Sequence, residues 1–483
     1  MITRISINGF KSLVNVEVFL GTFTCIAGRN AVGKSNLFDA LVFLSNLADK
    51  PLLEAAKLVR SEGQKHTNIR DIFQKVGNNY TDTISFEIDM IVPHYTIDDL
   101  GQKAEATITS LRYSLELYYN EVEDEDPIKI KREELVPIPL LEARKSIKFL
   151  HNKEWVKSCI LGRRTTSYIS TQGEIIKIHQ DDRKGRTADF VASKMPRTLL
   201  STVTAEYSTA FCVRHELRSW KMLQLEPSAL RQPDDFDKRK NAKLKSNGEN
   251  LPATLYRLNT ENSEGNRDIY QELTNNLSEI LDGIDLVDID KDEKRELLTL
   301  RVHFKDGSTY PANSLSDGTL RFLGLSVLEL DTKSDGIICF EEPENGIHPS
   351  KIASIIDLLQ KIATDTNYEV GEDNPLRQVI INTHSPIVVS VVPEDSLLMA
   401  ESLEEYNTTF AKKYIRTSYA ALNNTWRDNI LNQKKTTKAI ILSYLNPIEN
   451  INPDFFSSNK LKVKRVIDRT EISENMGQMP IQF

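Results

Sequence analysis

The octapeptide Gly28-Arg29-Asn30-Ala31-Val32-Gly33-Lys34-Ser35 restricts this chain more than any other feature. It has the form GxxxxGKS. It follows the apolar run 22–27 (TFTCIA) and precedes a segment of helical pattern from Ser35 to about Ala48. A strand, a glycine-bearing turn and a helix in that order make a phosphate-binding loop, whose backbone N–H groups surround phosphate oxygens at the positive end of the helix. Gly28 and Gly33 allow the tight turn, Lys34 reaches the β/γ-phosphates, and the Ser35 hydroxyl is a ligand for Mg²⁺. The candidate nucleotide-binding residues are therefore Gly28, Asn30, Gly33, Lys34, Ser35 and Asn36, with ATP and Mg²⁺ as the ligands.

Three further segments fit around that loop. The run 337–344 (IICFEEPE) is a short apolar strand ending in two carboxylates. Glu341 then takes the metal side, as a second Mg²⁺ ligand beside Ser35, and Glu342 is placed to polarise an attacking water. Leu315-Ser316-Asp317-Gly318-Thr319-Leu320-Arg321 reads as a capped helix start whose free N–H groups face outward. That arrangement suits the γ-phosphate of a nucleotide held by another subunit. Thr383-His384-Ser385-Pro386 follows the apolar strand 378–382, which puts His384 beyond a buried strand end, where it can meet the γ-phosphate or the water.

The rest of the chain bounds the reading. Alternation over 2–7 and 14–20 predicts an antiparallel strand pair turning near Asn8 and Gly9. Strand patterns recur at 84–90 and 106–119, residues 205–285 read as mostly helical, and 286–304 as strands. A helix is expected near 349–363, and after a strand at 396–400 the pattern is amphipathic and helical. Hydrophobic residues at 40% and charged residues at 27% fit a soluble globular protein. Net charge −8 offers no overall attraction for nucleic acid, although a local basic groove would suffice for DNA. Cys25, Cys159, Cys212 and Cys339 form no CxxC pair and read as core residues in a reducing compartment. No signal-peptide pattern and no run of about 18 apolar residues is present, so no membrane association and a cytoplasmic location are expected. No internal repeat or sustained heptad array occurs.

Taken together, GRNAVGKSN, LSDGTLR, FEEPENGIHP and INTHSP resemble the ABC-type ATPase heads of the SMC, RecF and OLD group, and more narrowly the compact AAA15/AAA21 ATPases of bacteria. The resemblance implies an α/β fold, a P-loop NTPase with ABC-ATPase head topology, carrying an N-terminal antiparallel β element and an inserted mixed and helical middle region. It divides the chain into 1–90 and 245–395 as the two parts of the ATPase domain. Between them lies an insertion at 91–244, β-rich then helical. Residues 396–483 form an extension for partner binding or oligomerisation. It implies that Glu342 and His384 are catalytic, that Leu315, Ser316, Asp317, Gly318 and Arg321 act in trans as a signature motif, and that Asn345, Gly346 and His348 form the D-loop crossing a dimer interface. Glu341 departs from the Asp most such proteins carry, which implies slow turnover. The Q-loop stays unassigned between Gln64 and Gln74.

The expected activity is ATP hydrolysis by a homodimer that shares its sites, or by a higher oligomer. No DxD motif of an attached Toprim nuclease follows His384. By resemblance to the ATPase subunits of Septu, retron-associated and PARIS systems, the expected role is antiphage defence, sensing infection or DNA state and controlling a separately encoded nuclease. The alternatives are a RecF- or SMC-like DNA repair ATPase, with basic clusters such as Arg163, Arg164, Lys238–Lys240 and Lys462–Arg465 on phosphates, and a scaffold in which ATP is mainly structural.

Overall fold

The structure is a computed structural model and describes residues 1–59, 68–98, 100–122, 126–181, 187–240, 242–262, 268–278, 281–430, 434–436 and 444. Met1–Thr436 form one compact unit; Thr437–Phe483 form a second, which contains a single described residue. Gln64 and Lys462–Arg465 fall outside the described residues.

Two large sheets enclose the helix that follows the phosphate loop. The first has seven strands in the order Lys221–Leu223, Gly336–Glu341, Arg377–Thr383, Phe23–Ala27, Leu397–Asn407, Lys412–Ala421 and Lys434–Lys435. Its first five strands are parallel, in registers such as Cys339↔Ile380, Ile381↔Cys25 and Leu398↔Ile26. Phe23–Ala27 and Arg377–Thr383 are buried at every position. This burial is why they read as continuous apolar runs rather than alternating ones. Because these strands run the same way, Ala27, Glu341, Thr383 and Ala400 all reach one edge, and the loops that leave it meet there.

The second sheet has eight antiparallel strands and begins with the expected pair, Ile2–Asn8 against Val16–Phe19 with Ile5 opposite Val18. Gly9 turns the chain at φ +80°, and a Cβ there would lie 2.2 Å from the Thr83 carbonyl oxygen. The strands of the middle region, Ser110–Tyr119, Ile128–Pro137, Ile169–Gln172, Ile175–His179 and Thr187–Val191, extend this same sheet through Thr83–Ile91. Helix Lys34–Leu47 lies against it, with Phe43 in ring contact with both Phe10 and Phe86. A third, small sheet pairs Ile284–Asp292 with Leu297–Phe304 and carries helices Leu251–Asn262 and Ile269–Ser278.

Two stretches differ from the sequence reading. Residues 401–421, expected as amphipathic helix, instead lie in a long hairpin of Leu397–Asn407 against Lys412–Ala421, with Tyr406 opposite Lys413 and Leu398 opposite Ala421. The strand that begins at Leu397 beside the P-loop strand continues to Asn407, and its antiparallel pairing with Lys412–Ala421 selects the extended form, a tertiary effect that local propensity does not carry. Within 205–285, Lys221–Leu223 is an edge strand rather than helix, drawn out by parallel pairing with Ile338–Phe340. The four cysteines are buried and unbridged. Among the described residues, no helix is long and apolar enough to cross a membrane.

Candidate nucleotide site

The loop between Ala27 and helix Lys34–Leu47 bends through two left-handed residues, Ala31 at φ 64° and Gly33 at φ 92°. Its start is tied to the neighbouring strand, with Gly28 N–H donating to the Thr383 carbonyl at 3.3 Å. Both glycines are required by space. A Cβ on Gly28 would lie 2.6 Å from the Ala400 oxygen, and one on Gly33 would lie 2.1 Å from Thr417 Oγ1 and 2.6 Å from Ser12 Oγ. Gly33→Ala is therefore expected to weaken ATP at least about tenfold, through left-handed strain of about 1–2 kcal/mol and displacement of the turn. Titration with a fluorescent ATP analogue checks this, and parent-like affinity would contradict it.

A cavity of about 550 Å³ opens over the loop, walled by Asn30, Gly33, Lys34, Ser35, Asn36, Glu341, Glu342, Asn345 and Asn382. The structure thus brings the loop and both acidic residues together, although more than 300 positions separate them in the chain. Lys34 Nζ folds onto the loop and donates to the carbonyls of Gly28 at 2.7 Å and Arg29 at 2.9 Å. Burial lowers its pKa, against the opposing pull of the Glu342, Glu344 and Glu341 carboxylates. The Asn36 amide, although on the cavity wall, donates to Ser12 Oγ at 2.7 Å.

Of the two acids on the cavity wall, Glu342 has the left-handed backbone, at φ 47°. Its N–H is held by the carbonyl oxygen of Asn382 at 3.0 Å and its side-chain oxygen at 3.2 Å. Asn345 Nδ2 donates to Oε2 at 2.9 Å, and His384 Nδ1 lies 2.6 Å from Oε1. Burial pushes this carboxyl up, but the bonds from Asn345 and His384 and the charge of Lys34 outweigh it and hold it below the usual range. An ionised acceptor puts an imidazole proton on Nδ1. Such a carboxylate can orient a water and receive its proton. Asn382 also donates to Glu341 Oε1 at 3.1 Å, so one amide aligns both acids.

Ser35 and Glu341 offer one hydroxyl and one carboxylate on the same wall. These are the hard oxygen donors that Mg²⁺ accepts together with substrate phosphates and water. The residues present fit that ion, which would neutralise charge on the β- and γ-phosphates.

Sequence reasoning gave no role to Glu344, Asn382, Ser12 or Thr417. Glu344 is half-buried, accepts from Thr383 Oγ1 at 2.5 Å, and has its carboxyl pushed up by burial. It stood within a quoted motif, so a signal existed. Ser12 and Thr417 belong to segments with no motif at all.

The signature segment does not line the cavity. Ser316 caps helix Asp317–Leu330, its Oγ accepting from Thr319 N–H at 3.2 Å. Arg231 steadies the approach through the Leu315 carbonyl at 3.0 Å and Asp317 at 2.6 Å. Within the chain this helix start packs on the turn after the acidic strand: a Cβ on Gly318 would lie 2.8 Å from the Gly346 oxygen, and Arg321 donates to the Asn345 carbonyl. His348 caps the next short turn, accepting from Ser350 N–H at 3.3 Å. Gln74, by contrast, is buried with its backbone bonded to Gly9 and is not on the cavity wall.

A family model described as AAA ATPase domain matches residues 1–389. The chain belongs to this AAA ATPase family. It is a P-loop enzyme that binds and hydrolyses ATP, and the cavity over Gly28–Ser35 is where this ATPase places its loop and acids together. No curated protein matches. Solved structures similar to this ATPase include an SMC head bound to the C-terminal winged-helix domain of ScpA, 13% identical at TM-score 0.43, covering 86% of this chain and 97% of the other. The SMC head domain from Thermotoga maritima is 11% identical at TM-score 0.37, covering 87% and 99%. An Smc head with an extended coiled coil, bound to the C-terminal domain of ScpA from Pyrococcus furiosus, is 12% identical at TM-score 0.39, covering 86% and 96%.

Proposed function

We propose that this ATPase works as an ATP-gated homodimer of the SMC/RecF kind, acting on DNA. Glu342 orients the attacking water, His384 supports it, Ser35 and Glu341 hold Mg²⁺, and Ser316 with Gly318 closes the site of the opposite subunit. The carrying observation is that the signature helix start is solvent-facing and lies off the P-loop cavity, while it is braced against Asn345 and Gly346 next to the catalytic strand. A phosphate-binding helix start with no phosphate loop in front of it finds its ligand on a second copy. Asn345, Gly346 and His348 then lie at the joint between subunits. The basic clusters carry less of the argument: Arg164 is spent on the carbonyls of Gln180 and Thr166, and Lys238 on Asp234.

The test is affinity purification of the Glu342→Gln chain from its native host in Mg·ATP, with mass determination of the recovered complex. The expected result is a dimer with ATP, monomeric without it, that retains DNA in a salt-sensitive way. Monomers in both conditions overturn the gating. A dimer that instead carries a stoichiometric nuclease moves the role to control of an antiphage effector, and a dimer with neither DNA nor protein moves it to an ATP-held scaffold.

A further inference from the structure

The family match ends at residue 389, yet the underside of the phosphate loop is completed by residues beyond it. Thr417 lies on strand Lys412–Ala421 and is fully buried. Its Oγ1 donates to the Val32 carbonyl at 3.0 Å and stands 2.6 Å from Ser12 Oγ. Ser12 Oγ in turn accepts from Asn36 Nδ2 at 2.7 Å, and the Thr417 N–H donates to the Ser12 carbonyl at 2.9 Å.

The proton directions are forced. The Val32 carbonyl can only accept, so Thr417 donates its one proton to it; Ser12 must then donate to Thr417, and it accepts from the Asn36 amide nitrogen. Ser12 O–H therefore points at Thr417, and each hydroxyl gives one bond and receives one. The relay begins at Asn36 and ends at Val32. It spans the turn that contains Gly33, Lys34 and Ser35. The two hydroxyls occupy the space a Cβ on Gly33 would need, while Ala400 on the paired strand does the same at Gly28. The hairpin thus touches the loop at both of its glycines.

We propose that Thr417 and Ser12 are positioning residues of the nucleotide site, and that the hairpin Leu397–Ala421 is a working part of that site. They set the turn in its phosphate-binding shape from beneath, without touching substrate. This inference rests on ATP binding alone and is independent of the dimer and its partner.

The test compares Thr417→Val, which keeps the shape and deletes the hydroxyl, with Thr417→Ser, which keeps the hydroxyl. The readouts are the dissociation constant of a fluorescent ATP analogue, KM and kcat, and the melting temperature. Thr417→Val is expected to weaken binding and raise KM about tenfold, equal to about 1.4 kcal/mol, with kcat changed less than about twofold. Thr417→Ser is expected to restore parent affinity. Parent-like affinity in Thr417→Val, or equal weakening in both variants, overturns the proposal, since a purely packing role would not follow the hydroxyl. Should Thr417→Val fail to fold, Ser12→Ala breaks the same relay at its middle: the same loss of affinity supports the proposal, and unchanged affinity overturns it.

Discussion

Glu342→Gln is expected to lower ATP turnover by about 10²–10⁴-fold while leaving ATP binding within about threefold of the parent. The carboxylate stands on the cavity wall with one oxygen against Asn345 and the other against His384, and these bonds hold its pKa below the usual carboxylate range. Gln keeps the volume and one acceptor, so the neighbours stay in place. What it loses is the charge that, in the proposed mechanism, receives the proton when water attacks the γ-phosphorus and the bond to the β-phosphate breaks. The left-handed backbone of Glu342, at φ 47°, stores about 1–3 kcal/mol of strain that the two Asn382 contacts maintain. A residue held in that conformation at a site wall is aimed, and deletion of its charge should fall on kcat rather than on KM. Phosphate release at saturating Mg·ATP, with parallel binding titrations, measures both. Turnover within about threefold of the parent would remove Glu342 from the chemistry and favour ATP as a structural ligand.

The second large effect concerns the shared site. Lys34→Ala and Ser316→Arg should each reduce hydrolysis to about 1% or less when present on both copies. Lys34→Ala removes the loop cation, which now donates to the Gly28 and Arg29 carbonyls and which the proposed mechanism turns to the phosphates. Ser316→Arg replaces the cap of helix Asp317–Leu330 and places a bulky side chain where the opposite nucleotide would sit. Mixed in equal amounts, the two variants should recover roughly a quarter of parent activity, because half of the random dimers carry one intact composite site out of two. A steady-state assay of the mixture against each variant alone gives the answer. A mixture as inactive as its components would mean that each chain completes its own site, and the trans arrangement would have to be abandoned. Activity in Ser316→Arg alone would exclude the signature segment from the site altogether.

Much of the site was legible because phosphate chemistry needs particular residues in a fixed local order. The glycine spacing of the loop, the Lys-Ser pair and the strand ending in Glu341-Glu342 are contiguous, and each segment carries its own secondary-structure pattern. The hairpin after residue 400 was not legible. Its two strands alternate polar and apolar residues loosely toward their exposed end, with Glu404 and Glu405 on the inner strand and Lys412 and Lys413 on the outer one. A pattern of that kind fits an amphipathic helix as well as a half-exposed strand. Pairing decides between them: Leu397–Met399 join Cys25–Ala27, and the strand that continues from there pairs with Lys412–Ala421.

By itself, then, the amino-acid sequence determined the chemistry: a phosphate loop at 28–35, two acids after an apolar strand, a capped helix start at Ser316 and a histidine after a strand. Those are local statements about backbone freedom, charge and periodicity. The tertiary structure decided how they are aimed. Parallel pairing brings Ala27, Glu341 and Thr383 to one edge, Asn382 aligns Glu341 with Glu342, and Ser12 and Thr417, 405 positions apart, meet under Gly33. The physical reason is that a hydroxyl 2.6 Å from its partner is placed by the packing of two sheets around one helix, and no periodicity in either segment records that distance.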